Sequence, residues 1–173
     1  MTSKTTDSRK ALQQKFVQLI EQNQGIIYKV AHAYCKDPED QKDLAQEIIL
    51  QLWKSFENYS PEFKFSTWMY RICLNVSISH LRKKKVRDKH QASQDFRRAI
   101  IHRESSEPME QEIKCLQQFV QQQKEIDKAL LLLFLDGNSY AEIASILDVS
   151  TSNVGTKMSR LKEKLKTYLK TCN

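Results

Sequence analysis

The scarcity of glycine and proline is the feature that most constrains the fold of this chain. Its 173 residues include only three glycines and three prolines. Folds built from many short strands need frequent tight turns, and such turns depend on these two residue types. Apolar residues make up 40% of the chain, which is enough to pack helices against one another. The sequence therefore predicts an all-α protein.

Apolar residues recur at helical spacing through the first third of the chain. They predict a helix over residues 12–36, in which Gly25 is a candidate break. Asp37 then suits an N-cap and Pro38 a first helical position. A second helix should run from there to about Phe56.

This periodicity nearly vanishes between two helical stretches. Residues 87–111 are mostly polar and charged, and we interpret them as a flexible linker. The sequence thus predicts two small helical domains joined by that linker, over residues 12–86 and 112–170.

The second predicted domain carries the pattern of a helix-turn-helix motif. Ser139 and Glu142 form a capping box at the start of a short helix, and Gly137 suits the left-handed position that ends the helix before it. A turn over residues 148–150 leads into a longer basic helix. We expect a winged-helix-like DNA-binding domain without need of a wing. An ordinary helical hairpin with a solvated basic face is the alternative.

The start of this longer helix would face the major groove. Hydroxyl and amide side chains there can hydrogen-bond base edges, and lysines further along suit phosphates. Gly155 lies inside the helix, where it lowers helix stability but allows close approach. The predicted DNA-facing residues are Ser150, Thr151, Ser152, Asn153, Thr156, Lys157, Arg160 and Lys164.

An aromatic cluster runs directly into a helix that ends in positive charge. Four rings lie within residues 59–68, and residues 82–89 read RKKKVRDK. Rings that stack on bases and cations that meet phosphates are typical of nucleic-acid surfaces. The net charge of +7 favours an anionic partner, but weakly. A plain amphipathic helix with a solvated basic end is the alternative, with Trp68 in its core.

The predicted second helix carries an acidic and polar face instead. Such a face in a basic protein is either solvent surface or a docking site for a basic protein partner. Its residues are Asp40, Asp43, Gln46, Glu47 and Gln51.

No catalytic pattern stands out, so we expect neither an enzyme nor a cofactor. The four cysteines form no C-x-x-C pair, which predicts no disulfide framework and a cytoplasmic protein with reduced thiols. His32 and Cys35 could share a metal, but no further ligands stand at suitable spacing, so we predict no metal site and a metal-responsive sensor is a weak alternative. The sequence shows no signal peptide and no apolar run near ~20 residues, which predicts no membrane insertion.

Three segments in order resemble a bacterial RNA polymerase sigma factor of the extracytoplasmic-function (ECF) type, in the sigma-70 family. They are Asp43-Leu-Ala-Gln-Glu47 with Leu52-Trp53, then Phe65-Ser-Thr-Trp68 through Asn75 to Leu81-Arg82, then the helix-turn-helix. The resemblance implies a transcription initiation factor that binds core RNA polymerase and reads the −10 and −35 promoter elements. Region 2 of the family would be residues 12–86 and region 4 residues 112–170. A helix-turn-helix regulator that never joins the polymerase is the alternative.

The resemblance also implies partners. In the family, the D-L-x-Q-E helix docks on the clamp helices of the β′ subunit, and region 4 contacts the β flap, here through residues 130–134 and their neighbours. Many members are held inactive by an anti-sigma factor, which is a candidate partner. The implied polymerase-binding residues are Asp40, Asp43, Leu44, Gln46, Glu47 and Gln51.

Recognition of the −10 element would fall on the loop over residues 58–64 and the helix after it, where a flipped base is trapped. Primary sigma factors carry a Trp pair there that wedges the duplex open, and this chain has Arg71 and Ile72 instead. That difference implies weaker strand opening and a stricter promoter requirement. The implied −10-binding residues are Tyr59, Phe63, Lys64, Trp68, Arg71, Asn75, Ser79, Arg82 and Lys83.

Overall fold

The computed structural model describes residues 3–91 and 108–172, and all regular structure in these two ranges is helical. This confirms the all-α prediction. None of the helices there is long and apolar enough to cross a bilayer. The helices are α1 (Ser3–Tyr34), α2 (Pro38–Ser55), a short 3-10 helix (Phe56–Asn58), α3 (Phe65–Gln91), α4 (Pro108–Gln122), α5 (Glu125–Leu135), α6 (Tyr140–Leu147) and α7 (Thr151–Cys172).

The start of α2 is fixed by its own sequence. A carboxylate oxygen of Asp37 accepts hydrogen bonds from the backbone N–H groups of Glu39, at 2.9 Å, and Asp40, at 3.4 Å. These are donors that the first turn of a helix leaves without an internal acceptor. Pro38 occupies the first turn, where its missing N–H costs nothing. The predicted cap and helix start are confirmed.

Gly25 does not break α1, so that prediction is wrong. The helix passes through it without interruption. Ile26 and Ile27, directly after it, are buried, and α1 packs along α2. This packing outweighs the roughly 1 kcal/mol that a single glycine costs a helix.

The chain divides into two compact units, Met1–Ser77 and Ile78–Asn173. The helices α3 and α4 extend into both ends of the predicted linker, and residues 92–107 lie outside the described part of the chain. The boundaries at residues 12–86 and 112–170 stay a prediction. The core of the first unit includes Phe16, Val30, Leu44, Ile48, Leu52, Phe56, Met69 and Leu74.

In the second unit, α7 packs against α4, α5 and α6. Val154, Met158 and Leu161 form its buried stripe at helical spacing. Residues 129–133 of α5 are buried as well. The expectation that residues 130–134 contact a partner is thereby corrected, because four of these five side chains lie in the core and only Phe134 is partly exposed.

The structure contradicts the expectation of reduced thiols at two of the four cysteines. Cys115 on α4 and Cys172 at the end of α7 are disulfide bonded, with their Cα atoms 6.3 Å apart. The two residues are separated by 57 positions, and only the packing of α4 on α7 brings them together. Sequence spacing detects short motifs such as C-x-x-C. It cannot detect a disulfide between cysteines that are far apart in the sequence.

Candidate nucleic-acid interfaces and docking surface

An aromatic cluster joins the end of α2 to the start of α3. Phe56, Tyr59, Phe65 and Trp68 lie with ring centroids 5.1 to 6.4 Å apart. Phe56 and Phe65 are buried, and Tyr59 and Trp68 are partly exposed. Trp68 therefore packs against the other three rings of the cluster and is also partly exposed.

The loop over residues 59–64 is anchored on that cluster. The hydroxyl of Tyr59 donates to the carbonyl of Phe63 at 2.8 Å, and the N–H of Phe63 donates to the carbonyl of Ser60 at 3.2 Å. The ring of Phe63 itself is 64% exposed, and Lys64 beside it is exposed too. The loop thus presents an aromatic ring and a cation to solvent from a fixed base.

One side of α3 continues this surface. Five of the predicted −10-binding residues lie there, and all five are exposed. Arg71, Asn75 and Ser79 are four positions apart, and the adjacent pair Arg82 and Lys83 follows Ser79 by three and four positions. These members of the implied −10-binding set therefore share one exposed side of the helix.

The opposite side of α3 is apolar and buried. The hydroxyl of Ser77 donates to the carbonyl of Cys73 at 2.7 Å, so this buried polar group is satisfied within the helix. Burial raises the pKa of the Cys73 thiol to about 12. This thiol stays protonated near neutral pH and is a packing residue.

The predicted docking face on α2 separates into exposed and buried members. Asp43, Gln46 and Gln51 are exposed, and Asp40 and Glu47 are partly exposed. Leu44 is fully buried, so its proposed contact with a partner is corrected to a core position beneath that face.

Sequence reasoning missed two apolar side chains on α2. Leu50 is 53% exposed and Ile49 is 40% exposed. Both fall outside the buried stripe of Leu44, Ile48 and Leu52. Their positions off this stripe are the sequence signal from which their exposure could have been predicted. Leu50 follows Gln46 by four residues and adds an apolar patch to the acidic and polar face.

The helix-turn-helix motif is built as its sequence predicts. The hydroxyl of Ser139 accepts from the N–H of Glu142 at 3.2 Å, and a carboxylate oxygen of Glu142 accepts from the N–H of Ser139 at 2.9 Å. Gly137 has a φ of 81°, which is the left-handed conformation that glycine adopts without strain. The N–H of Val149 reaches back to the carbonyl of Ala144 at 3.0 Å and fixes the turn before α7.

The start of α7 presents its polar side chains outward. The hydroxyl of Ser150 accepts from the N–H of Asn153 at 3.2 Å and caps the helix. Seven of the eight predicted −35-binding residues are exposed: Ser150, Thr151, Ser152, Asn153, Thr156, Arg160 and Lys164.

Lys157 is the eighth, and it differs from the rest. Its ammonium donates to a carboxylate oxygen of Asp127 on α5 at 3.2 Å, and the residue is partly buried. Lys162 is also engaged, since its Nζ lies 4.5 Å from the ring centroid of Phe134 and 3.3 Å from the hydroxyl of Tyr140. These two lysines connect α7 to α5 and α6 through side-chain contacts.

The metal-sensor alternative gains no support from the geometry. His32 is exposed and Cys35 is buried, and Gln41 Nε2 donates to the carbonyl of Cys35 at 3.0 Å. Within the described ranges, no three His, Cys, Asp or Glu side chains are grouped to hold a metal ion.

Two family models match the chain, one after the other. The model described as "Sigma-70 region 2" matches residues 19–87, and "Sigma-70, region 4" matches residues 113–165. Together they span more than half of the chain and cover the surfaces on α2, α3 and α7.

Individual proteins agree with this match. The chain is 24% identical to the ECF RNA polymerase sigma factor SigW of Bacillus subtilis, over 94% of this chain and 92% of that protein. It is 28% identical to the RNA polymerase sigma-H factor of Pseudomonas aeruginosa, over 80% and 76%. Its fold resembles the sigma factor RpoE of Bartonella quintana, solved with the anti-sigma factor NepR, at a TM-score of 0.70, 16% identity and coverage of 93% and 98%.

Proposed function

The chain belongs to the sigma-70 family of RNA polymerase sigma factors, as a member of the ECF type, and from this premise we propose which surface carries each step of promoter recognition. It is a transcription initiation factor that binds core RNA polymerase and directs it to promoters. The observation that carries this conclusion is the succession of both family regions on one chain. A regulator that never joins the polymerase is not favoured, since it would not need the first region.

We propose that the exposed start of α7 reads the −35 element. Serine, threonine and asparagine side chains there can exchange hydrogen bonds with base edges in the major groove. The N-terminus of α7 adds a partial positive charge that favours nearby phosphates. Arg160 and Lys164 extend this side of the helix and would contact the DNA backbone, which positions the protein without reading sequence.

We propose that the loop before α3 and the exposed side of α3 read the −10 element. Phe63 can stack on an unpaired base, because its ring is exposed on a loop that the aromatic cluster holds in place. Arg71 and Lys83 would meet phosphates, and Asn75 can hydrogen-bond a base edge. Trp68 would support the loop from the cluster.

We propose that α2 docks on the polymerase, with the β′ clamp helices as the partner. Asp43 and Glu47 supply negative charge for a basic partner, and Gln46 and Gln51 supply hydrogen bonds. Leu50 would add apolar contact area in the same face. Contact with the β flap, also proposed, would use the exposed α5 residues Ile126 and Leu135 in place of the buried ones.

An anti-sigma factor is a further proposed partner. The solved structure of the Bartonella quintana sigma factor contains one, which supports the proposal for a chain of the same fold.

Transcription in vitro tests the assignment. The purified chain is mixed with sigma-free core polymerase on fragments of the host genome, and the 5′ ends of the RNA are mapped. Discrete new start sites with shared upstream boxes are expected. A chain that yields no start sites and fails to bind core polymerase would overturn the assignment.

Charge reversal on α2 separates a sigma factor from a free regulator. Replacing both Asp43 and Glu47 with lysine should weaken core polymerase binding at least tenfold, because two like charges then face a basic surface. Glu21→Lys on the exposed surface of α1 is the matched control and should bind normally. Equal binding by all three proteins would remove α2 as the docking surface.

A further inference from the structure

The four cysteines of this chain differ sharply in their surroundings. Cys35 and Cys73 are buried in the first unit and keep their thiols. Cys115 and Cys172 are joined in the second unit, and their Cα separation of 6.3 Å is ordinary for a disulfide. The bond is therefore compatible with the helix packing as it stands.

The disulfide lies at one end of a continuous seam between α4 and α7. Phe119, one turn after Cys115, places its ring 5.4 Å from that of Tyr168, one turn before Cys172. The hydroxyl of Tyr168 also accepts from Gln122 Nε2 at 3.4 Å. The seam would hold α7 beside α4 without the covalent bond, so the two sulfur atoms stay close in either redox state.

Cys115 and Cys172 are not equally exposed. Cys115 is 1% exposed, whereas Cys172 lies in the last turn of α7 and is partly exposed. Thiol–disulfide exchange begins at the sulfur that a reagent can reach. This places Cys172 as the residue attacked or attacking first, and Cys115 as the buried residue that resolves the exchange.

We propose that Cys115 and Cys172 form a reversible redox-modification site that exchanges with small-molecule disulfides and thiols and fastens α7 to α4 when oxidised. In oxidation, the Cys172 thiolate attacks a small disulfide such as oxidised glutathione, forming a mixed disulfide and releasing one thiol. Cys115 then displaces the second thiol and closes the protein disulfide. The two cysteines lose two electrons and two protons, and the two released thiols gain them.

The consequence falls on the helix-turn-helix motif. The residues between Cys115 and Cys172 include all of α5, α6 and the −35-binding start of α7. A bond that closes this loop restricts the unfolded chain and so stabilises the folded unit. The oxidised chain should hold the recognition helix in place at temperatures where the reduced chain begins to lose it.

The test uses the full chain equilibrated in buffers of graded reduced-to-oxidised glutathione ratio. After alkylation of remaining thiols, mass spectrometry of the chain and its peptides should show a single intramolecular bond between Cys115 and Cys172, reversed by excess reduced glutathione. Thermal unfolding followed by circular dichroism should show that oxidation raises the melting temperature of the second unit by roughly 10 °C or more.

Two variants complete the design. Cys172→Ser removes one of the two paired sulfur atoms from a partly exposed residue, and the melting temperature of this variant should not depend on the glutathione ratio. Cys35→Ala alters a buried cysteine of the other unit and should keep the full redox response. No bond at any ratio, a bond between other cysteines or between chains, or equal melting of oxidised and reduced wild type would each overturn the proposal. None of these readouts involves transcription, so their failure would leave the sigma-factor assignment untouched.

Discussion

At the scale of single residues, α7 shows that lysines of one helix have different roles. Lys164 is exposed on the proposed DNA-facing side. Lys157 is turned toward α5, where it contacts Asp127. The charge pattern of the helix alone would assign both lysines to phosphate contacts. Their surroundings in the structure indicate that Lys164 is available for DNA binding, whereas Lys157 positions α7.

This difference predicts separate phenotypes for two alanine variants. Lys164→Ala should lower the slope of log binding constant against log salt concentration by about one unit, because one phosphate contact is lost. Lys157→Ala should leave that slope unchanged and reduce stability by less than about 1 kcal/mol, since the pair is partly exposed and screened by solvent. Titration of holoenzyme with promoter DNA at several salt concentrations measures the slopes. Identical slopes for the two variants would contradict the assignment.

A second prediction at this scale concerns the exposed rings. Phe63→Ala should weaken binding of holoenzyme to single-stranded −10 DNA by about fivefold to a hundredfold, the range expected for loss of one base–aromatic stack. Tyr28 on α1 is equally exposed, at 64%, and makes a matched control in Tyr28→Ala. Fluorescence anisotropy with a labelled non-template strand gives both affinities. A loss shared by the two variants would indicate general surface effects in place of base stacking.

At the scale of helices, glycines in different conformations set different limits on stability. Gly25 lies within α1, and an added Cβ there would meet no atom within 4 Å other than those of its chain neighbours and the backbone of its own helix. Gly137 ends α5 with a positive φ that other residues adopt only with strain. The same substitution should therefore act in opposite directions at the two positions.

We expect Gly25→Ala to stabilise the chain by about 0.5 to 1 kcal/mol, because alanine has the higher helix propensity and fewer unfolded conformations. Gly137→Ala should destabilise it by about 1 kcal/mol, because alanine is strained at that φ. Urea unfolding with separate analysis of each unit measures both changes. Stabilisation by Gly137→Ala would contradict the role of that residue in ending α5.

At the scale of the whole molecule, two DNA-reading regions are carried by one chain. Once one region is bound, binding of the other becomes intramolecular and is favoured by high effective concentration. A factor with weak strand opening depends on its contacts with both the −10 and the −35 promoter element. A sequence change in either element should therefore strongly reduce strand opening. The family resemblance implies that Arg71 and Ile72 stand where primary sigma factors carry the Trp pair that opens the duplex.

We therefore predict that single mismatches to the −10 element will abolish most strand opening by this factor. Permanganate footprinting on matched and altered promoters should show the loss of reactive thymines at each altered promoter. A promoter with a preformed bubble should restore them, because the missing step is then supplied by the DNA. Undiminished opening at altered promoters would refute weak melting.

Much of this protein is fixed by its sequence through short-range effects. The Asp37 cap, the Ser139–Glu142 capping box and the left-handed Gly137 depend on bonds between residues a few positions apart. The resemblance to the family, together with helical spacing, also predicts the exposed residues along one side of α3. Recognition of the family needed no more than three segments and their order.

Only the tertiary structure decided which side chains are available and which distant residues meet. Helix packing decides that Leu44 and residues 130–133 are buried and that Leu50 is exposed. It also brings Lys157 to Asp127 and Cys115 to Cys172. Packing against α2 also keeps α1 helical across Gly25. Local patterns encode caps, periods and turns, because those interactions span a few residues. Contacts across 30 or 57 positions depend on the arrangement of the helices between them.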